Sequence, residues 1–380
     1  MKIRFRILAA LALLPLALPA QEAPTITIRK TDSIALAVQP VAGAGGETVT
    51  SVLRNDLAVS GWFSMGDAGA ASYVVSGTMS GGGLSGVVKD RAGGVVLSKS
   101  YSGTPRAMAH AFADDIVETV AGQTGIASTH IAFVATRTGK KEIYLADYDG
   151  ANVRQITNDG VISVAPALSP DGRKLAYTGY QSGYADIYLV DIITGARNRI
   201  VKFPGTNSGA AFSPDGGRIA CTISKDGNPE LYVVAANGSG AKRLTRTRGV
   251  ESSPSWSPDG SEIVFSSDEG GNPRLFRISS GGGTPRPVST GHSFCTEPSW
   301  SPDGRKIAFT VRNNGIAVTD LSSGSTRIVA SSGEDPVWGA DSRHLIYSTG
   351  SALMLLDAQT GKSTPIVTGL GKVSEPTWSR

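Results

Sequence analysis

The sequence predicts an α+β chain built of two parts, a small N-terminal α/β domain followed by a C-terminal six-bladed β-propeller. Three observations predict it. First, the tetrapeptide SPDG recurs from Ser169, Ser213, Ser257 and Ser301, each copy 44 residues after the one before. A period of that length marks a unit that cannot bury its own apolar face and must stack on its neighbours, as in a solenoid or propeller. Second, short runs rich in Ile, Val, Tyr and Phe repeat in step with SPDG and are bounded by Gly, Asp and Asn, the pattern of strands. Third, the residues ahead of the repeats mix helical and strand periodicity.

Each repeat holds four strands. One set of runs begins at Ile131, Leu175, Ile219, Ile263, Ile307 and Leu345, and a second follows at Ile143, Ile187, Leu231, Leu275, Ile316 and Leu353. A short third set starts at Arg154, Asn198, Lys242, Arg286, Thr326 and Thr364. The fourth ends on a bulky residue two places after a Pro or Ala, at Leu168, Phe212, Trp256, Trp300, Trp338 and Trp378. The run at Ile131 has no such strand before it, and Trp378 has no run after it. These two orphans complete each other, so the C-terminal strand is expected to close the ring by pairing with the first blade, leaving no open sheet edge. Residues 130–380 then make six blades of about 42 residues each.

SPDG has a mechanical reading. Pro pre-sets φ at the second position of a tight turn, Asp suits the third, and Gly accepts positive φ at the fourth. Asp171, Asp215, Asp259 and Asp303 are therefore expected to shape turns and not to catalyse. The fifth copy has drifted to WGADSRHL around Asp341.

Ahead of the ring, Lys2, Arg4 and Arg6 precede an apolar stretch from Ile7 to Leu18, then Pro19 and Ala20. This reads as a secretory signal peptide over residues 1–20, too short to span a membrane. Its removal takes three positive charges from a formal +4 and leaves the chain near neutral, so no nucleic-acid partner follows from the charge. No Cys lies near Ala20 to suggest a lipid anchor. From Gln21 to Thr129 the pattern predicts strands at TITIRK and IALAV and a helix from Glu47 carrying Val49, Val52, Leu53 and Leu57 on one side. Three Gly-linked strands follow, then a second helix from the N-cap Thr104 and Pro105 to Gly122.

Taken together, the leader, the α/β domain, the helix ending VETVAGQTGI, the stretch IAFVATRTGKKEIYLADYDGANVRQIT and the SPDG blades resemble the TolB family, the periplasmic propeller proteins of the Tol-Pal system. The resemblance covers essentially the whole chain after Ala20 and is strongest from Ile131 to about Ala308. It implies a non-enzymatic, monomeric scaffold that binds the peptidoglycan-associated lipoprotein Pal at the propeller mouth. It also implies that the N-terminal segment, here Gln21 to Asp32 with Thr25, Ile26 and Ile28, engages TolA. From the residues alone, that segment could add a strand to a partner's sheet or be an ordinary edge strand of its own domain. The positions matching the family's Pal-binding loops are Val164, Ala165, Thr206, Gly209, Ser252 and Ser253. Family members commonly carry Thr-Glu where this chain has Ser252-Ser253, and Thr296-Glu297 stand one blade later instead.

The alternative reading is a propeller-type hydrolase or polysaccharide lyase. No GxSxG elbow occurs, and His110, His130, His292 and His344 lack metal-ligand spacing and read as solvated or loop residues. No cofactor is expected, although Glu297, Glu334, Asp335 and Glu375 leave a Ca²⁺ ion in the channel conceivable. Cys221 reads as a small core residue, Cys295 as part of an entry loop, and nothing in their spacing argues for a bridge.

Overall fold

A computed structural model describes residues 33–379. The expected signal peptide and the segment containing Gln21, Thr25, Ile26, Ile28 and Asp32 lie outside the described residues.

The N-terminal layer begins with β1 (Ile34–Val38), α1 (Gly46–Val59), β2 (Phe63–Met65), β3 (Tyr73–Ser80), β4 (Gly83–Asp90), β5 (Val95–Ser102) and α2 (Pro105–Ile116). Its sheet runs β2-β1-β3-β4-β5, with β1 parallel to both neighbours and β3-β4-β5 an antiparallel meander. In α1, Val49, Val52, Leu53 and Leu57 recur at helical spacing and are all buried. In α2, the Thr104 hydroxyl accepts the Ala107 N–H at 3.2 Å, and Pro105 fills the first helical position, where its missing donor costs nothing. The last turn, Val117–Ala121, widens to a π-turn and ends on Gly122 at φ 63°. Gly86 sets how closely α2 lies on the sheet, because a Cβ there would stand 2.7 Å from the Phe112 ring.

Next come β6 (His130–Ala135) and β7 (Glu142–Asp147). Four four-stranded antiparallel sheets follow, and a seven-stranded sheet joins the two ends of the ring. One long strand, Ser363–Trp378, serves twice in that sheet. Its first half is the outer strand beside Gly350–Asp357, and its second half pairs with β6, from Val373 opposite Ala135 to Trp378 opposite Ile131. The ring thus contains four separate blades and two that share a strand, an arrangement consistent with six. The inner strands Ser163–Leu168, Asn207–Phe212, Glu251–Trp256, Cys295–Trp300, Glu334–Trp338 and the end of Ser363–Trp378 touch in a closed cycle. Side chains reinforce the junction where the chain meets itself. Trp378 Nε1 donates to Thr129 Oγ1 at 2.6 Å, and the His130 N–H donates to Ser379 Oγ at 2.8 Å.

The SPDG segments sit at the hairpins away from the inner-strand starts. In the first, Ser169 Oγ donates to Asp171 at 2.6 Å, the Gly172 N–H donates to the Ser169 carbonyl at 2.8 Å, and Gly172 has φ 66°. The other three repeat this geometry at Asp215, Asp259 and Asp303. In the drifted fifth copy, Ser342 takes the positive-φ place at 54°.

Ile34–Arg380 form one compact unit. The hydrophobic core of the N-terminal layer, including Leu36, Leu53, Phe112 and Ile116, continues into the ring through Ile131, Phe133, Tyr144, Leu353 and Trp378.

Candidate functional site: the mouth of the channel

Every inner strand carries the same irregularity one or two residues after its first pairing. Ala165, Gly209, Ser253, Glu297, Asp335 and Glu375 all adopt positive φ, between 49° and 63°. The ladder to the neighbouring strand shifts register at each of these points. These are β-bulges, which bend a strand and re-aim its side chains. Five are followed by Pro (Pro166, Pro254, Pro298, Pro336 and Pro376) and one by Ala210. Proline is tolerated there because the inner strand is a sheet edge, and a bulge residue need not donate to the ladder. For the five non-glycine residues, the left-handed conformation costs about 1–2 kcal/mol each, strain of the kind that accumulates at functional sites.

Ring geometry gathers the six bulges around one cavity of about 560 Å³. Its electrostatics are lopsided. Glu297 Oε2 accepts the N–H of Asp335 at 3.0 Å and the Thr310 hydroxyl at 2.6 Å. Asp335 Oδ2 accepts the N–H of Glu375 at 2.9 Å, and Glu375 Oε2 accepts the N–H of Ala165 at 2.6 Å. Each carboxylate therefore holds the bulge of the next blade. Withdrawal of the Asp335 carboxyl from solvent, and then the nearby charge of Glu297, push its pKa well above the usual carboxylate range against the pull of the Glu375 N–H. Across the ring, Ala165, Gly209 and Ser253 supply no carboxylate, and the Gly209 N–H makes a long 3.3 Å contact with Thr178 Oγ1.

Of the positions singled out in the sequence, the structure brings Ala165, Gly209, Ser253 and Glu297 together on the cavity wall. Val164, Ser252 and Thr296 stand one residue earlier, on the regular ladder opposite Thr178, Ser266 and Thr310, and do not line it. Thr206 precedes its strand and is exposed, its N–H bonded to Ser224 Oγ at 2.8 Å. Asp335 and Glu375 belong to the ring of bulges and were missing from the expected binding set. The signal for them was available, since each stands immediately before a Pro at the blade period, as Ser253 and Glu297 do. As for Ca²⁺, these carboxylates are already engaged with backbone N–H groups. Among the described residues, no group of three or more His, Cys, Asp or Glu is placed to hold a metal ion.

Two histidines depart from the expectation of solvated or loop residues. His344 is buried with its Nδ1 2.6 Å from Asp341, so the drifted fifth turn has become a buried pair. His110 is buried on α2, its Nδ1 2.7 Å from Asp56 of α1, and Asp56 also accepts the Tyr148 hydroxyl at 2.8 Å. Arg106 reaches Asp147 at 2.7 Å and also pairs with Asp149. The stretch Asp147-Tyr148-Asp149-Gly150 is thus the fastening between the N-terminal layer and the ring. Its glycine, at φ 81°, lies so close to the Ile366 carbonyl that a Cβ would stand 1.8 Å from that oxygen. Cys295 opens an inner strand instead of lying in a loop; it and Cys221 are buried and unbridged, and burial pushes the Cys221 thiol up to about 12.

Comparison with known proteins agrees with this architecture. A family model described as the TolB beta propeller domain matches residues 117–380. A protein TolB homolog of Chlorobium chlorochromatii is 46% identical over 114 residues, 28% of this chain and 26% of the relative. A Tol-Pal system protein TolB of Geobacter metallireducens is 45% identical over 83 residues, 21% of this chain and 19% of the relative. The matched stretches therefore span only about a fifth to a quarter of these curated relatives. The crystal structure of TolB from Acinetobacter baumannii superposes with a TM-score of 0.82 at 25% identity, over 92% of this chain and 97% of that one. A structure of putative TolB from Agrobacterium tumefaciens shares the fold, with a TM-score of 0.52 at 17% identity over 64% of this chain and 90% of that one.

Proposed function

This chain belongs to the TolB beta-propeller family, and on that premise we propose that it is a non-enzymatic periplasmic scaffold of a Tol-Pal system. In this reading the channel mouth binds the Pal lipoprotein and the segment Gln21–Asp32 engages TolA. The two contacts together support outer-membrane integrity and envelope constriction during division. Among the described residues no helix is long and apolar enough to cross a membrane.

The observation that carries the reading is the ring of six bulges. Bulge residues from all six inner strands, five of them strained, meet at one cavity, where a partner's loop can touch several blades at once. The energy of such a contact concentrates in a few central residues. The non-enzymatic part rests on what the candidate bases do. His110 and His344 are each committed to a buried carboxylate, and the SPDG aspartates close their own turns.

Ala165→Trp tests the mouth without adding backbone strain, because the position already holds a non-glycine residue at φ 49°. Calorimetric titration with the soluble domain of Pal should show binding weakened at least tenfold, about 1.4 kcal/mol, with the melting temperature nearly unchanged. Undiminished affinity would remove the mouth as the Pal site.

A further inference from the structure

The bulge N–H groups divide the mouth into two unlike halves. All six bulge residues share one backbone conformation, with φ between 49° and 63°. In three of them the N–H meets the side chain of the residue that holds the equivalent place in the preceding blade. For Asp335, Glu375 and Ala165 that residue is acidic, and its carboxylate takes the N–H at 3.0, 2.9 and 2.6 Å. For Gly209, Ser253 and Glu297 the preceding residues are Ala165, Gly209 and Ser253, none of which has a carboxylate. Gly209 has only the 3.3 Å contact with Thr178 Oγ1. All three of these residues line the cavity.

We propose that Gly209, Ser253 and Glu297 form a donor half-ring whose backbone N–H groups receive carbonyl or carboxylate oxygens from a loop of the bound partner. The proposal rests on the reading of the mouth as the partner site and adds the chemistry of recognition. An N–H in a channel wall that no carboxylate takes is open to an acceptor from outside, and a protein loop presents backbone carbonyls and acidic side chains. The carboxylates of Glu297, Asp335 and Glu375 do the opposite work. They fill the equivalent donors from within the chain and leave none for the partner there, so the partner's oxygens are directed to the other half. Glu297 stands at the boundary, its side chain serving the closed half and its N–H the open one. The three carboxylates are in this sense positioning groups.

Ser253→Gln tests the inference, because a carbonyl placed at Ser253 can hold the Glu297 N–H as Glu297 holds that of Asp335. Ser253→Met has nearly the same size and no comparable acceptor. In titrations with the soluble Pal domain, the Gln variant should bind at least tenfold more weakly than the Met variant, with a melting temperature equal or higher. Equal binding by the two would overturn the donor half-ring. Were Ala165→Trp in the same series to weaken binding while Gln and Met behaved alike, the mouth would stand and only the donor assignment would fall. Were Ala165→Trp without effect, both would fall. In the wild-type protein, the amide proton resonances of Ser253 and Glu297 should move downfield on binding; unmoved resonances in a saturated complex would also overturn the proposal.

Discussion

His110 is the residue whose charge ties the two parts of the molecule together. Burial opposes its protonation, but the carboxylates of Asp147 and Asp56 more than offset that, and its pKa rises from the ordinary 6.5 to about 9. A group whose folded-state pKa is raised stabilises the fold fully below its unfolded value and loses that contribution as pH rises through the folded one. Thermal melts should therefore show a stability component that declines from about pH 6.5 to about pH 9, and His110→Gln should abolish that slope. A wild-type profile superimposable on that of His110→Gln across this range would contradict the assignment. Removing the ring altogether in His110→Ala leaves the fully buried Asp56 carboxylate with Tyr148 alone and should cost about 3–5 kcal/mol in chemical denaturation. The sequence could not show this pairing. Asp56 and His110 lie 54 positions apart on different helices, and neither residue's local spacing names a partner. The turn aspartates were legible for the opposite reason, since Asp171 and its equivalents act within four residues of themselves.

At the scale of elements, what could be read in advance was whatever repeats in residue type. Strand runs and SPDG hairpins recur with nearly constant chemistry, so their period and boundaries stand out. The six bulges recur in conformation with changing residues, Ala, Gly, Ser, Glu, Asp and Glu, and only the Pro that usually follows betrays them. That is why three of the eight expected mouth residues, Val164, Ser252 and Thr296, fell one position early, on the regular ladder. The same distinction applies to Gly150, which is one glycine among 47 and yet cannot be replaced by a residue with a side chain. Gly150→Ala would thrust a Cβ to within 1.8 Å of the Ile366 carbonyl at a residue with φ 81°. Overpacking and left-handed strain together should cost about 2–5 kcal/mol. Gly139→Ala, at φ 84° with nothing within 4 Å of the new Cβ, isolates the conformational part and should cost only about 1–2 kcal/mol. Equal denaturation midpoints for the two variants would show that the Ile366 contact is not what Gly150 protects.

At the scale of the whole molecule, the ring stays shut through one strand of noncovalent pairing. Val373–Trp378 lies against β6, and the Trp378 indole and the Ser379 hydroxyl bond to Thr129 and His130 on the other side of the seam. Deleting residues 372–380 should open sheet edges on both sides of the gap and lower the melting temperature by more than 10 °C or cause aggregation, since β6 carries core residues shared with the N-terminal layer. A truncated protein that melts within a degree or two of the full-length one would contradict a ring held in this way. The fold class was legible because repeats announce themselves. The fastening between layer and ring was not, because its six side chains come from three separate segments.

The mouth as the partner surface is tested most directly by amide hydrogen exchange of the full-length protein with and without a saturating soluble Pal domain. Protection should appear in peptides covering the inner-strand starts 163–168, 207–212, 251–256 and 295–300. It should be greatest at Gly209, Ser253 and Glu297, and the SPDG hairpins at the opposite end of the channel should exchange unchanged. Protection confined to those hairpins or to the outer strands, with the inner-strand starts unaffected, would place the partner elsewhere.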